Sequence, residues 1–182
     1  MTSSGDSHQR FRDLIVRFHT RWDATIPADA RAEESPPDAI GVEVRNRNCG
    51  DMVRLSIRRA EGDAGARPFA HVSAESRGCS ICTGTTAFGL SLLAERTLPD
   101  AIALSAAFRA VVDGGTGGVI EEISGAIAAA ERLPVWLLPA QKEDLLSFSV
   151  LAAQPARRQC ALLFWDAIDE LSGRLSESVP SH

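Results

Sequence analysis

The chain changes from strand-like to helical patterning within residues 76–86, SRGCSICTGTT. Before this stretch, apolar and polar residues alternate, which is typical of strands with one buried face. After it, apolar residues recur at helical spacing. Cys79 and Cys82 lie within the stretch, and the other two of the four cysteines are Cys49 and Cys160. The stretch therefore marks the end of a predicted sheet and a candidate site for chemistry.

Three strand-like segments precede the stretch, at residues 40–45, 53–58 and 69–75. In each, apolar side chains alternate with polar ones. The connections between the segments are short, and residues 61–65, EGDAG, have the chemistry of a turn. Short connections join antiparallel neighbours, so we predict an antiparallel meander.

Helical patterns occupy most of the remaining chain. The predicted helices cover Ser7 to Trp22, 83–95, a helix that follows the capping box at 97–100, 117–132, short turns within 143–153, and 155–171 with a stop at Gly173. One helix, three strands and then helices alone is the α+β pattern. We predict a single domain at residues 7–173, with a disordered lead at 1–6 and a flexible tail at 174–182.

Composition and charge restrict the classes of function. The chain has 182 residues and a net charge of −5, which does not favour binding to nucleic acid. No apolar run approaches the roughly 18 residues that a membrane span needs, and the polar amino-terminal residues do not resemble a secretory signal. We therefore expect a cytoplasmic protein without a membrane partner, in which cysteines are free, catalytic or metal-bound.

The cysteines lie where chemistry is expected. Cys49 and Asp51 flank a glycine between two strands, and their sulfur and oxygen donors together suit zinc. Cys79 lies at a predicted helix start, which favours its thiolate. Cys160 follows arginines, of which Arg158 is an auxiliary candidate for the same effect.

The residues alone leave three interpretations open. Each cysteine could be an ordinary buried apolar side chain. Cys79 and Cys82 form a C-x-x-C pair, which also fits a thiol oxidoreductase. The third interpretation is a shared metal site, because three thiols lie at the ends of predicted elements.

Three motifs resemble, in the same order, those of the iron–sulfur cluster assembly scaffold family, the SufU, IscU and NifU amino-terminal-domain group. They are RNRNCGD at residues 45–51, GCSI at 78–81, and ARRQCALL at 156–163 followed by Trp165. The family forms are Asn-Pro-x-Cys-Gly-Asp, Gly-Cys-Ser-Ile and Arg-x-Lys-Cys-Ala-x-Leu-x-Trp. The resemblance spans roughly residues 8–172.

The resemblance implies a fold and a function. The fold is α+β, a three-stranded antiparallel sheet with helices packed on one face. The function is that of a scaffold or sulfur-transfer protein rather than a classical enzyme, with a cysteine desulfurase as sulfur donor and downstream apo iron–sulfur proteins as recipients. The implied alternative is a zinc-dependent sulfurtransferase partner of the desulfurase.

The resemblance also implies the site residues. Zn²⁺ or iron would be bound by Cys49, Asp51, Cys79 and Cys160. The three thiolates would hold a transient [2Fe–2S] cluster, and Asp51 would keep it labile enough to hand over. Cys49 and Cys160 are the candidate persulfide acceptors. Cys82 is either an auxiliary thiol or a packed side chain, and packing is favoured.

Several positions depart from the family pattern. Arg47 stands where the family has Pro, and Cys82 where it has a small residue. Gln159 stands where IscU-like members have His and SufU-like members have Lys. The absence of that His, and a predicted insertion at residues 114–142, favour the SufU-like branch. The chaperone-binding signature of IscU is absent near Cys160.

Overall fold

A computed structural model describes residues 4–20, 35–60, 67–113 and 133–177. Several predictions lie outside these ranges. They are the helix at 117–132, the turn at 61–65, the position of Trp22, and most of the insertion at 114–142. Within the described part of the chain, no helix combines the length and apolar character needed to cross a bilayer.

The described elements follow the predicted order. They are α1 (Ser4–Thr20), β1 (Ile40–Arg45), β2 (Met52–Arg59), β3 (Phe69–Arg77), α2 (Ser80–Leu93), α3 (Leu98–Asp113), α4 (Pro139–Leu146), a 3₁₀ helix (Ser147–Leu151) and α5 (Pro155–Glu177). The predicted α+β class is confirmed.

The strands form one antiparallel sheet in the order β1-β2-β3, as predicted. Val42, Leu55 and Ala74 are paired across the three strands, and all three side chains are buried. Side chains one residue along point to the opposite face. There Arg54 forms ion pairs with Glu43 at 2.8 Å and with Glu75 at 3.5 Å. One face of the sheet therefore belongs to the core and the other is polar.

Helices cover the apolar face. α5 packs against β1 and β2, and α2 packs against β3, while α1 and α3 pack on these two helices. Phe148 lies at the centre of the helical layer. Its ring centroid is 4.9–5.5 Å from those of Phe11, Phe88 and Phe108. Aromatic rings in offset or edge contact add to the stability gained from burying them. The resulting core fixes α2 and α5 against the sheet.

Several helix boundaries differ from the sequence predictions. α2, predicted at 83–95, covers Ser80–Leu93, and α4 begins at Pro139, before the turns predicted within 143–153. α1 begins at Ser4 rather than Ser7. The predicted stop of α5 at Gly173 is wrong, because the helix continues to Glu177. The physical reason is Leu175, which is fully buried one turn beyond the buried Leu171. Burying a leucine stabilises by about 1.5–3 kcal/mol, which exceeds the roughly 1 kcal/mol that glycine costs inside a helix.

Candidate metal and sulfur site

The turn between β1 and β2 presents Cys49 and Asp51. Two backbone hydrogen bonds close it: Asn46 N–H donates to the Asp51 carbonyl, and Gly50 N–H donates to the Asn46 carbonyl, both at 2.8 Å. Gly50 has a φ of 78°, a conformation that residues with a side chain adopt at a cost. The turn leaves Cys49 exposed and places Asp51, 5% exposed, immediately before β2.

The turn between β3 and α2 brings Cys79 next to Asp51. The backbone N–H of Cys79 donates to Asp51 Oδ1 at 3.3 Å. Cys79 is the residue before the first turn of α2, as predicted, and it is exposed. Gly78 packs directly on the carboxylate, because a Cβ there would lie 2.5 Å from Asp51 Cγ. Only glycine leaves room for the acid at this position.

Helix α5 supplies the remaining thiol. Cys160 is 8% exposed, and its Sγ lies 3.7 Å from the Sγ of Cys49. One donor atom from each of Cys49, Asp51 and Cys160 lies within 4.8 Å of the other two. The structure thus brings three of the four predicted ligands together. Cys79 joins them at the rim, through the hydrogen bond from its backbone N–H to Asp51 Oδ1.

Asp51 and Cys160 have opposite tendencies to hold a proton. Burial raises the pKa of Asp51, but the neighbouring thiols of Cys160, Cys49 and Cys79 outweigh burial and hold that pKa below its ordinary value. Burial and the neighbouring carboxylate raise the pKa of the Cys160 thiol well above its ordinary range. A proton therefore stays on Cys160 while Asp51 carries a negative charge.

The donor set fits a metal ion. Asp51 Oδ2 is buried and has no hydrogen-bond partner in the described structure, although a buried carboxylate oxygen normally has one. Thiolate and carboxylate donors are those that zinc takes in proteins. A cation would provide the missing partner for Oδ2 and offset the negative charge of the site.

The two auxiliary candidates lie apart from this group. The Cys82 side chain is 1% exposed, and its Sγ lies 3.4 Å from Ser76 Oγ in the core. Burial raises the pKa of Cys82 to about 12. The guanidinium of Arg158 forms an ion pair with Asp113 on α3 at 3.2 Å. Cys82 is therefore a packed thiol in this structure, and the Arg158 ion pair joins α5 to α3.

Sequence reasoning missed the part played by Asn46, which is only 9% exposed. Its Nδ2 donates to Cys160 Sγ at 3.8 Å, and its Oδ1 accepts a hydrogen bond from Asn48 N at 3.0 Å. The available signal was an asparagine two residues before another turn residue, which is typical of a side chain bonded to its own turn. Its partner on α5 could not be read from that pattern.

Comparisons with known proteins identify the fold. No family model matches the chain, and no curated protein matches its sequence significantly. The structure is similar to that of the amino-terminal domain of a nitrogen-fixing NifU-like protein from Brucella abortus, with 15% identity and a TM-score of 0.66 over 97% of this chain and 100% of that one.

Two further solved structures share the fold. One is a candidate iron–sulfur cluster assembly scaffold protein for the SUF system from the thermophile Fervidobacterium islandicum, with 16% identity and a TM-score of 0.59 over 91% of this chain and 98% of that one. The other is a hypothetical protein with 19% identity and a TM-score of 0.61, over 92% and 99% of the two chains. The chain thus has the fold of these SufU- and NifU-like structures, which agrees with the resemblance drawn from the three motifs.

Proposed function

We propose that this protein is a scaffold for iron–sulfur cluster assembly that receives sulfur from a cysteine desulfurase. Its site consists of Cys49, Asp51, Cys79 and Cys160. One observation carries the proposal: a thiol and a carboxylate from one turn and a thiol from a helix 111 residues further on have donor atoms within 4.8 Å of one another, in the fold of the NifU-like and SufU structures.

The site offers a defined role for each ligand. Cys49, Cys79 and Cys160 are soft donors suited to zinc or to iron in a cluster. Asp51 is a hard oxygen donor, and a cluster with one oxygen ligand is easier to release than one held by four thiolates. When bound, zinc would favour the thiolate forms of its ligands and so compete with the proton on Cys160.

Sulfur enters most readily at Cys49. Its side chain is exposed, whereas Cys160 is 8% exposed and faces the core. In the transfer, the Cys49 thiolate attacks the terminal sulfur of the desulfurase persulfide. The bond between the two donor sulfurs breaks, Cys49 becomes the persulfide, and the desulfurase regains its thiolate. Cys160 is the other candidate acceptor. Its Sγ lies 3.7 Å from the Sγ of Cys49, so it would receive sulfur after Cys49.

The cell compartment and partners follow from this chemistry. Thiols held free for metal and persulfide suit the reducing cytoplasm. The sulfur donor is a cysteine desulfurase, and the recipients of the finished cluster are apo iron–sulfur proteins. The exposed pair Cys49 and Cys79 is the part of the site that both partners can reach.

Metal analysis and anaerobic reconstitution test the proposal. Iron, sulfide and a desulfurase should give a visible cluster absorption in the wild-type protein and much less in Cys49→Ala and Cys160→Ala. Cys82→Ala is the matched control, since it also removes a thiol but leaves the site intact, and it should reconstitute like the wild type. A cluster that forms equally well in Cys49→Ala and Cys160→Ala would refute the proposed site.

The alternative functions give different results in the same experiments. A zinc-dependent sulfurtransferase would contain stoichiometric zinc as purified and would stimulate the desulfurase without forming a cluster. The exposed Cys49 beside its donor set also supports this alternative. A C-x-x-C oxidoreductase would depend on Cys82 and be insensitive to changes at Cys49 and Cys160. The burial of Cys82, with its pKa raised to about 12, disfavours that reaction.

A further inference from the structure

Three side-chain amides connect the turn that carries Cys49 to the helix that carries Cys160. They belong to Asn46, Asn48 and Gln159, which we name the amide bridge. Asn46 Nδ2 donates to Cys160 Sγ at 3.8 Å, and Asn48 Nδ2 donates to Gln159 Oε1 at 3.0 Å. The residues on the helix side are neighbours in the first turns of α5. The two links therefore join one short turn to one short stretch of helix.

Asn46 is held from both ends. Its backbone N–H and carbonyl close the turn through Asp51 and Gly50, and its Oδ1 accepts the backbone N–H of Asn48. Only the Nδ2 end of the amide is left to face α5, where it donates to the Cys160 sulfur. A buried amide fixed in this way loses little further freedom when it forms its last contact.

The links involve residues next to both thiols or the thiol itself. Asn48 immediately precedes Cys49, and Gln159 immediately precedes Cys160. Cys49 itself is exposed, yet its Sγ lies 3.7 Å from Cys160 Sγ. Spacing of this kind in an exposed turn needs support from neighbouring residues, because donor groups bind metal tightly only when their positions are fixed beforehand.

We propose that the amide bridge sets the spacing of Cys49 and Cys160 before any ion arrives, and that Asn46 also donates a hydrogen bond to the Cys160 sulfur. These residues are positioning residues, since they act through the two thiols. Gln159 takes the place of the His or Lys expected from the family pattern, and it serves as a neutral hydrogen-bond acceptor for Asn48. The inference rests on the proposed function only for the identity of the ion.

The first experiment needs no metal. The metal-free, full-length protein is treated with a short bifunctional thiol reagent, and the rate of cross-linking between Cys49 and Cys160 is measured by peptide mapping. Cleavage after arginine separates residues 48–54 from 159–174 and from the peptide with Cys79 and Cys82. Asn48→Ala and Gln159→Ala should each slow the reaction by about 2- to 12-fold, the factor for one net hydrogen bond. The double variant should be no slower than either single variant.

Asn46 is tested by two substitutions. Asn46→Ala removes both ends of the amide. Asn46→Asp keeps an oxygen for the Asn48 N–H but has no donor for the Cys160 sulfur. Gln9→Ala is the control for loss of an exposed amide far from the site, since Gln9 contacts Asp13 and Arg12 on α1. Both Asn46 variants should cross-link more slowly than the wild type, and Gln9→Ala should not.

Metal binding provides a second readout. Zn²⁺ affinity is measured by competition with a chromophoric chelator, and the sulfur-to-metal absorption band is recorded with Co²⁺. Asn46→Ala should bind Zn²⁺ about 10–100-fold more weakly, as is typical when a partner of a ligand is lost. In Asn46→Asp the Co²⁺ band should shift, because the donor to the Cys160 sulfur is gone.

The outcomes separate the two proposals. If cross-linking is slowed as expected but no variant binds Zn²⁺ or Co²⁺, the amide bridge stands and the proposed metal function fails. If Asn46→Asp matches the wild type in cross-linking, Zn²⁺ affinity and Co²⁺ band, then Asn46 acts only through the shape of the turn and the donor role is overturned. If all bridge variants match the wild type, the whole inference is overturned.

Discussion

The contact between Gly78 and the Asp51 carboxylate gives the sharpest prediction. Replacing Gly78 by alanine places a Cβ 2.5 Å from Asp51 Cγ and Oδ1, and 2.8 Å from Asp51 Cβ. Non-bonded carbon atoms rest about 3.5–4.0 Å apart, so the side chain of Asp51 must retreat by roughly 1 Å. The affected atoms belong to a short buried side chain immediately before a strand, and this side chain has little freedom to move.

The magnitude has two parts. Gly78 has a φ of 155°, and holding alanine in such a region costs about 1–3 kcal/mol. Overpacking against Asp51 adds about 1–3 kcal/mol. A carboxylate displaced by roughly 1 Å lies outside the tolerance of about 0.2 Å for metal ligands. Zn²⁺ affinity should therefore fall by about 100-fold or more, since losing an outer partner alone costs about 10–100-fold.

Gly50→Ala is the matched control. Gly50 also has a positive φ, 78°, but a Cβ there meets nothing within 4 Å. This variant should lose about 1–2 kcal/mol through backbone strain alone, with a smaller effect on metal affinity. The assay is urea unfolding of the metal-free proteins, together with chelator competition for Zn²⁺. Equal losses of stability and of affinity in the two variants would refute the reasoning about Gly78.

Three further predictions follow from burial and charge. Because the pKa of Asp51 is lowered, its contribution to folding is present above the unfolded value of about 4 and is lost as the pH falls through the folded value. As the pH falls, the stability of the metal-free wild type should therefore decrease more steeply than that of Asp51→Asn. Parallel curves of stability against pH would contradict this. Burial raises the pKa of Cys82 to about 12. The contribution of its protonated thiol to stability is therefore complete below the unfolded-state pKa of about 8.5 and is lost as the pH rises towards 12. The wild type should lose stability above about pH 8.5, and Cys82→Ala should lose less. Alkylation near pH 8 should modify Cys49 well before Cys82, and equal rates of alkylation would argue against the burial of Cys82. Gly89→Ala should destabilise the fold by about 1–3 kcal/mol, because its Cβ would overlap the Phe164 ring. Gly173→Ala, where a Cβ meets nothing, should stabilise the fold by about 0.5–1 kcal/mol. Equal thermal midpoints for the two variants would contradict this packing argument.

The sheet and the start of α3 could be predicted because their signals are local. Alternation in β2 reflects a strand with one buried face, and Val53, Leu55 and Ile57 are indeed buried. The predicted capping box also forms: Asp100 N–H donates to Thr97 Oγ1 at 3.3 Å, and Thr97 N–H donates to Asp100 Oδ2 at 3.1 Å. Such hydrogen bonds join residues only a few positions apart, so sequence alone specifies them.

Features that depend on distant neighbours could not be predicted in the same way. Gly173 carries a helix-stop signal, but burial of Leu175 against the core overrides it. Gly78 looks like an ordinary turn glycine, and only the structure shows that Asp51 occupies the space of its missing side chain. The sequence favoured a packed Cys82, whereas the 3.7 Å spacing of Cys49 and Cys160 comes from how α5 packs on the sheet.

The two thiols that nearly touch are 111 residues apart in the chain. Closing a loop of that length costs more entropy than forming a hairpin, so the meander can form before α5 docks against it. Until α5 docks, Cys49 and Asp51 have no third donor from Cys160. An ion at 100 times its dissociation constant adds about 2.7 kcal/mol to the fully folded state alone. A bound metal ion would therefore indicate that folding is complete, and it would slow every opening that separates the hairpin of β1 and β2 from α5.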